Sequence, residues 1–264
     1  MRKTQQLSIG EKALVALLAT WIAGFVDTTG FLQLSHILTA NMSGNTVQVA
    51  LGAASLDWNK AAERFWPLVA FVAGLVVSAA IHEAGARRKI LSTSAIVFGL
   101  EALLLGSFIW MSSELWHGNP TSAAGFYAST TVLGIAMGLQ NATVTKVGAL
   151  SVKTTHVTGT LTKFAESLSQ FLFWAHDRLH AIFQHPVKAA ARTALHQKTF
   201  REASLLGGLW VAFFVGGVSA GLCLGSLRTF SLLPPLAALI GLSALDVVRP
   251  IAASDEHPQP AREN

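Results

Sequence analysis

The sequence predicts an all-α polytopic membrane protein, with six spanning helices plus two re-entrant or broken motif helices in a 3+3 inverted repeat. Three observations carry that expectation. The 264-residue chain is 52% hydrophobic and 12% charged, whereas charged residues make up about a quarter of a soluble domain, and its mean hydropathy is +0.48. Six apolar segments reach roughly 18 residues or more, the length that crosses a bilayer. A polar string occurs twice, as Thr39-Ala40-Asn41-Met42-Ser43-Gly44-Asn45-Thr46 and as Thr154-Thr155-His156-Val157-Thr158-Gly159-Thr160-Leu161. A Gly-x-x-(Asp/Asn) step precedes each copy, Gly24 to Asp27 and Gly138 to Asn141.

Taken in order, the spanning segments are 12–34, 64–86, 91–111, 122–146, 203–225 and 229–248. The first follows Arg2, Lys3 and Lys12 like the apolar part of a secretory signal. We read it as a retained span, because the repeat motif begins directly after it. Segments 40–56 and 155–175 are more polar, and loop charge decides whether they cross. Arg87, Arg88 and Lys89 form one basic cluster; 177–201 carries Arg178, Lys188, Arg192, Lys198 and Arg201; the loop 112–121 has no Lys or Arg. Placing the basic loops and both termini in the cytoplasm requires each motif segment to enter and leave on one face. Six crossings follow, and the two halves are inverted relative to each other.

The domain expectation is a single membrane domain over 1–264, with repeat one at 12–112 and repeat two at 122–248. A cytoplasmic basic insertion occupies 177–201, and the tail 250–264 is expected to be disordered. Phe71-Val72-Ala73-Gly74 matches Phe214-Val215-Gly216-Gly217 as a further repeated string. Trp58, Trp66, Trp110, Trp116 and Trp174 fall at segment ends, as interfacial tryptophans do.

These motifs and their order resemble the YoaK-type family of bacterial membrane proteins, a domain of unknown function. The strings that carry the resemblance are Thr39–Thr46, Gly138-Leu139-Gln140-Asn141 and Thr154–Leu161, and it spans nearly all the chain except 177–201 and the tail after Arg249. It implies a multi-span protein of the bacterial inner membrane and supplies no substrate. The insertion 177–201 is longer than the family's usual connection.

Irregular backbone at membrane depth is tolerated where it is buried in protein or lines a wet cavity. A Gly-centred, hydroxyl-rich turn in each half therefore marks a candidate site. Free N–H groups in the first turns of two half-helices would favour an anionic or strongly hydrogen-bonding solute, as in transporters built from inverted repeats. Asn41, Ser43, Gly44, Asn45, Asn141, His156, Thr158, Gly159 and Thr160 are the expected solute contacts, with Gly44 and Gly159 close together at mid-depth. Asp27, whose repeat mate Asn141 is neutral, is the expected carrier of a coupling proton. Of the other acidic residues in apolar segments, Glu101 has no partner in sequence, Glu166 lies three residues from Lys163, and Asp246 is expected to pair with Arg249.

The expected function is a secondary transporter of a small polar or anionic solute; the alternatives are a passive channel of the same architecture, a membrane enzyme or a structural membrane partner. No P-loop, Gly-x-Ser-x-Gly or His-Glu-x-x-His string is present, so no enzyme chemistry and no cofactor is expected. His176, His180 and His185 lack the supporting ligands of a metal site. The pI of 9.7 reflects basic loops, not nucleic-acid binding. Membrane lipids and the solute are the expected partners, and a homo-oligomer is compatible with the sequence. The single Cys223 precludes an intrachain disulfide.

Overall fold

A computed structural model describes residues 7–113, 122–147, 150–181 and 197–251. Its helices are α1 (Ile9–Gln33), α2 (Met42–Ala54), α3 (Trp58–Arg88), α4 (Thr93–Ser112), α5 (Ala123–Ala142), α6 (Val157–Ala181), α7 (Lys198–Leu227) and α8 (Leu233–Val248). A 3-10 turn, Arg228–Leu232, leads into α8. Among the described residues five helices are long and apolar enough to cross a membrane: α1, α3, α4, α7, and α8 together with its 3-10 lead-in. The fifth and sixth of the expected spans are α7 and α8. The fourth, α5, has 20 residues and no charged side chain. Ser129, Thr130, Thr131, Gln140 and Asn141 lower its hydropathy, and half of it is buried against neighbouring helices. Trp116 and most of the insertion 177–201 lie outside the described residues, as does the tail from 252 onward.

One element departs from the all-α expectation. The segment expected to continue the fourth span ends as a helix at Ala142, and the chain turns into an antiparallel hairpin of β1 (Val144–Val147) and β2 (Leu150–Lys153), paired Val144 with Lys153. Val144, Thr145, Val147 and Val152 are β-branched, which favours extended backbone. Val147 and Val152 pack with Ala16, Leu206 and Leu209.

Local chemistry fixes the helix ends. Ser8 and Glu11 form a reciprocal capping box at the start of α1, which satisfies otherwise orphaned N–H groups. Asp57 accepts from Lys60 N at the start of α3, and Ser122 from Gly125 N at the start of α5. The start of α4 is capped from outside: Asp246 Oδ2, on α8, accepts from Ala95 N at 2.7 Å. Asp246 Oδ1 accepts from Ile251 N at 2.6 Å. Arg249, the partner expected for Asp246, instead donates both Nη1 and Nη2 to Glu11, at 2.6 and 3.0 Å. The carboxylate of Asp246 faces two backbone donors, and Glu11 meets the guanidinium from the start of α1.

Backbone contact through glycine organises the bundle. A Cβ on Gly24 would stand 2.1 Å from Phe213 O, and one on Gly216 would stand 2.2 Å from Trp21 O. The same contact recurs between α3 and α5: a Cβ on Gly138 would stand 2.1 Å from Phe71 O, and one on Gly74 would stand 2.3 Å from Ile135 O. Gly24 therefore corresponds to Gly138, Phe71 to Phe213 and Gly74 to Gly216. The last two pairs are one residue offset from the string match to Phe214–Gly217. Each first helix packs on the third helix of the other half, and small residues let the backbones approach.

Helix directions follow from these contacts. Leu17, Gly24 and Thr28 of α1 meet Gly208, Phe213 and Gly217 of α7 in rising order, so the two run parallel. Trp66, Ala70 and Gly74 of α3 meet Thr131, Gly134 and Gly138 of α5, also in parallel. Ala95 and Gly99 of α4 meet Asp246 and Ser243 of α8, so this pair is antiparallel. One end of the bundle thus gathers the starts of α1, α4 and α7 and the ends of α3, α5 and α8. Lys12, Arg87, Arg88, Lys89, Lys198, Arg201 and Arg249 lie there, whereas Lys60, Arg64 and Arg228 lie toward the other.

Candidate functional site

At the end of α1 the chain reverses through Ser35 and His36, at φ 50° and 65°; left-handed backbone at non-glycine positions costs about 1–3 kcal/mol each. Contacts downstream hold it there. Thr39 packs over Gly30, where a Cβ would come within 2.5 Å of its methyl group. Buried Asp27 accepts from Ala40 N at 2.7 Å, Asn41 Nδ2 at 2.6 Å and Thr39 Oγ1 at 3.5 Å. Three donors compensate the buried carboxylate, as burial of such a group requires. Asn45, fully buried, accepts from Leu38 N at 3.1 Å and donates to Leu38 O at 2.5 Å. Gly44 leaves room for Leu38, whose Cδ1 would lie 2.5 Å from an added Cβ. Ser43 is exposed and Asn41 half-buried in the first turn of α2.

The second copy is built similarly. Asn141 Oδ1 accepts from Thr155 Oγ1 at 2.5 Å. Thr160 donates its backbone N at 3.0 Å and its hydroxyl at 2.9 Å to His156 O. The His156 ring lies over Gly159, where an added Cβ would stand 2.8 Å from Nδ1. His156 and Thr158 are exposed and Thr160 is buried. A crevice lined by Thr20, Lys153, Thr154, Val157, Thr160, Leu209, Trp210 and Phe213 adjoins this turn, and its 10 Å³ accommodates about one water.

The two turns do not adjoin in this conformation. An added Cβ on Gly44 would find only Leu38 within 4 Å, and the nearest atoms to one on Gly159 are those of His156. The expected meeting of these glycines at mid-depth is therefore corrected: α2 packs on α3 and α6 on α7, so each motif helix rides on the third helix of its own half.

Three further polar groups stand out. Glu101, midway along α4, is fully buried, and neither carboxylate oxygen has a partner. Its place in an apolar run was the sequence signal. Arg64 has enclosed Nε and Nη1 atoms without partners, near the bundle end opposite the basic cluster. Its position at the edge of an apolar segment gave no cue to that. Gln140 donates to Ala19 O at 2.6 Å and links α5 to α1. Among the described residues no group of three or more His, Cys, Asp or Glu side chains could hold a metal ion.

Leu222 and Phe173 are each 71% exposed, and Leu103 68%, while Phe25, Leu105, Leu133 and Met137 fill the interior. Apolar side chains on both the inside and the outside of long helices define a polytopic helical membrane protein. The chain belongs to the family DUF1275, described as proteins of unknown function, which it matches over residues 15–245. It is similar to the UPF0700 transmembrane protein YoaK of Bacillus subtilis (strain 168), with 25% identity over 223 residues, 83% of this chain and 87% of that protein. No solved structure matches the chain.

Proposed function

We propose that the chain is a secondary transporter of a small polar or anionic solute, built of two halves inserted with opposite orientation and crossing the membrane six times. Helix direction is the observation that supports it. Directions alternate between successive crossings, so α4 and α8 run oppositely only if an even number of crossings lies between them. With neither motif helix crossing, α5 and α7 supply those two, and α1 with α7 and α3 with α5 come out parallel, as their contacts have them. A crossing by either motif helix alone turns α1 against α7. Crossings by both make α4 and α8 parallel. The less apolar α5 thus counts as a span, and both motif helices as re-entrant or surface elements.

Inverted repeats let one architecture open alternately to either face, with broken helices near the solute path; this is fold-level analogy. The basic end of the bundle is then cytoplasmic by the positive-inside rule, and both termini lie there, in the inner membrane. The first turn of α2 with Asn41, Ser43 and Gly44, and the first turn of α6 with His156, Thr158 and Gly159, offer exposed polar groups to a solute approaching from either face. Asn45, Asn141 and Thr160 hold those turns in shape. Arg64 favours an anion on the outer side. An open channel needs a continuous wet path, whereas Phe25, Phe98, Leu105, Phe108, Leu133 and Met137 fill the interior, so alternating access fits better than a standing pore.

A thermal-shift screen of small anions and polar metabolites on the purified protein selects solutes, and uptake into proteoliposomes then tests transport. Saturable uptake that falls in Ser43→Trp and Thr158→Trp is the expected result. Non-saturating, gradient-independent flux would replace the transporter with a channel.

A further inference from the structure

We propose that Glu101, not Asp27, binds and releases the coupled proton, and that in the conformation described here it is a neutral carboxylic acid. The assignment rests on the transport reading for its coupling role, though not for its protonation. Asp27 is already committed to a structural role, because its oxygens accept from Thr39, Ala40 and Asn41, and removing its charge would loosen the first motif turn. Glu101 has no such role. It is 0% exposed, and neither oxygen has a hydrogen-bond partner. It sits on the buried stripe of α4 between Phe98 and Leu105, themselves 2% and 0% exposed.

Among the described side chains no cation stands by to neutralise it. On α3, His82 bonds Thr93 at the start of α4, Glu83 pairs with Arg87, Arg88 ends the helix, and Lys60, Glu63 and Arg64 lie in its first two turns, near the other bundle end. The titratable side chain on α5 is Tyr127, stacked edge-on against Trp66. On α8 it is Asp246, bound to Ala95 N and Ile251 N. The side chain of Arg228, in the 3-10 turn, lies outside the described ones. An ionised carboxylate without a protein partner is strongly disfavoured in such a place. A metal cation would need several more oxygens than one carboxylate provides. A proton needs none.

A route is indicated on the facing helix. Thr130, on α5, is also 0% exposed with an unpartnered hydroxyl. Glu101 lies about 16 Å from the outer end of α4 and Thr130 about 10 Å from the outer end of α5, at ~1.5 Å per residue. The hydroxyl is thus one turn nearer the outer face. In the proposed step a proton passes from outer water to a Glu101 carboxylate oxygen, forming one O–H bond, and that bond breaks toward inner water when the halves exchange access.

Protonation is tested without any solute. Infrared difference spectra of the reconstituted wild type and Glu101→Gln at neutral pH are expected to show the carbonyl band of a protonated carboxylic acid in the wild type, lost in the variant. Absence of that difference overturns the proposal. Coupling is tested by the labelling rate of a single cysteine at Ser43 in a Cys223→Ser background, divided at each pH by the rate of the same cysteine in the denatured protein so that the thiol's own ionisation cancels. Wild-type Glu101 is expected to make that rate pH-dependent, and Glu101→Gln to fix it at its acid-side value. A pH dependence that survives Glu101→Gln, or none in the wild type, sinks the coupling role. Glu101→Leu serves if Glu101→Gln fails to fold; failure of both makes Glu101 a structural residue and ends the proposal. A negative uptake assay with the infrared band intact would count against transport alone.

Discussion

Asp27 Oδ2 accepts from Asn41 Nδ2 at 2.6 Å across 14 positions of sequence, and Asn141 Oδ1 accepts from Thr155 Oγ1 across the same 14. Each Gly-x-x-(Asp/Asn) step therefore does two jobs. Its glycine admits the backbone of the other half's third helix, and its polar residue ties down the motif turn of its own half. The two motif copies recur together with their steps because a turn and its anchor form one unit.

Replacing Asp27 tests the anchor. Asp27→Ala leaves Ala40 N and Asn41 Nδ2 buried or half-buried without an acceptor, at about 1–3 kcal/mol for each such donor. Thermal unfolding in detergent is expected to show a loss of about 2–5 kcal/mol on that scale. Asp27→Asn keeps one acceptor for Ala40 N, and the Asn41 amide can rotate to meet the new one, so a smaller loss is expected. Asn141→Ala removes one neutral hydrogen bond and is expected to cost about 0.5–1.5 kcal/mol. Equal losses for Asp27→Ala and Asn141→Ala would contradict the difference in bonding.

The glycine contacts make a paired prediction. Gly24→Ala and Gly138→Ala each drive a methyl into a carbonyl 2.1 Å away, and overpacking of this kind costs about 1–3 kcal/mol. Both are expected to lower the melting temperature by similar amounts. Gly106 and Gly241 have nothing within 4 Å of an added Cβ. Alanine there is expected to raise stability by about 0.5–1 kcal/mol, because glycine is the weaker helix former. A destabilised Gly24→Ala beside an unaffected Gly138→Ala would break the correspondence between the halves.

Much of this architecture was legible in the sequence, since bilayer thickness dictates span length and repeated strings mark repeated contacts. The expected segments for α1, α4 and α7 fall within a few residues of the helices found. The hairpin at 144–153 was missed because a strand pair of four residues each is too short to register against the apolar run it follows. The ion pair expected between Asp246 and Arg249 failed for a long-range reason: Asp246 faces the start of α4 and Arg249 the start of α1, and nearness in sequence does not reveal either. The meeting of Gly44 and Gly159 failed likewise, because string similarity identifies equivalent turns without saying that equivalents touch.

Asp246 makes the next test. Asp246→Ala strips two buried backbone donors, Ala95 N and Ile251 N, of their acceptor, and at about 1–3 kcal/mol each it is expected to destabilise more than Arg249→Ala. The Arg249–Glu11 pair is part-exposed, with side chains 29% and 40% accessible, and pairs of this kind contribute about 0–1 kcal/mol. Melting curves in low and high salt separate the two: only the Arg249→Ala loss is expected to shrink as salt rises.

Topology is the sharpest test of the proposed architecture, and α5 decides it. Its hydropathy is the lowest of the six candidate spans, and its polar residues are bonded to neighbouring helices or buried: Thr131 accepts from Trp66 Nε1 on α3, Gln140 reaches Ala19 O on α1, and Thr130 is fully buried. A helix shielded in this way can cross with fewer apolar side chains than one facing lipid. In a Cys223→Ser background, single cysteines at Ser122 and Lys153 flank α5 and its hairpin. If α5 crosses, a membrane-impermeant maleimide labels Ser122→Cys from outside and Lys153→Cys only from the cytoplasmic side. Labelling of both from one side would remove α5 as a span. The parity that sets α4 against α8 would then require a motif helix to cross, and the two halves would no longer be inverted copies.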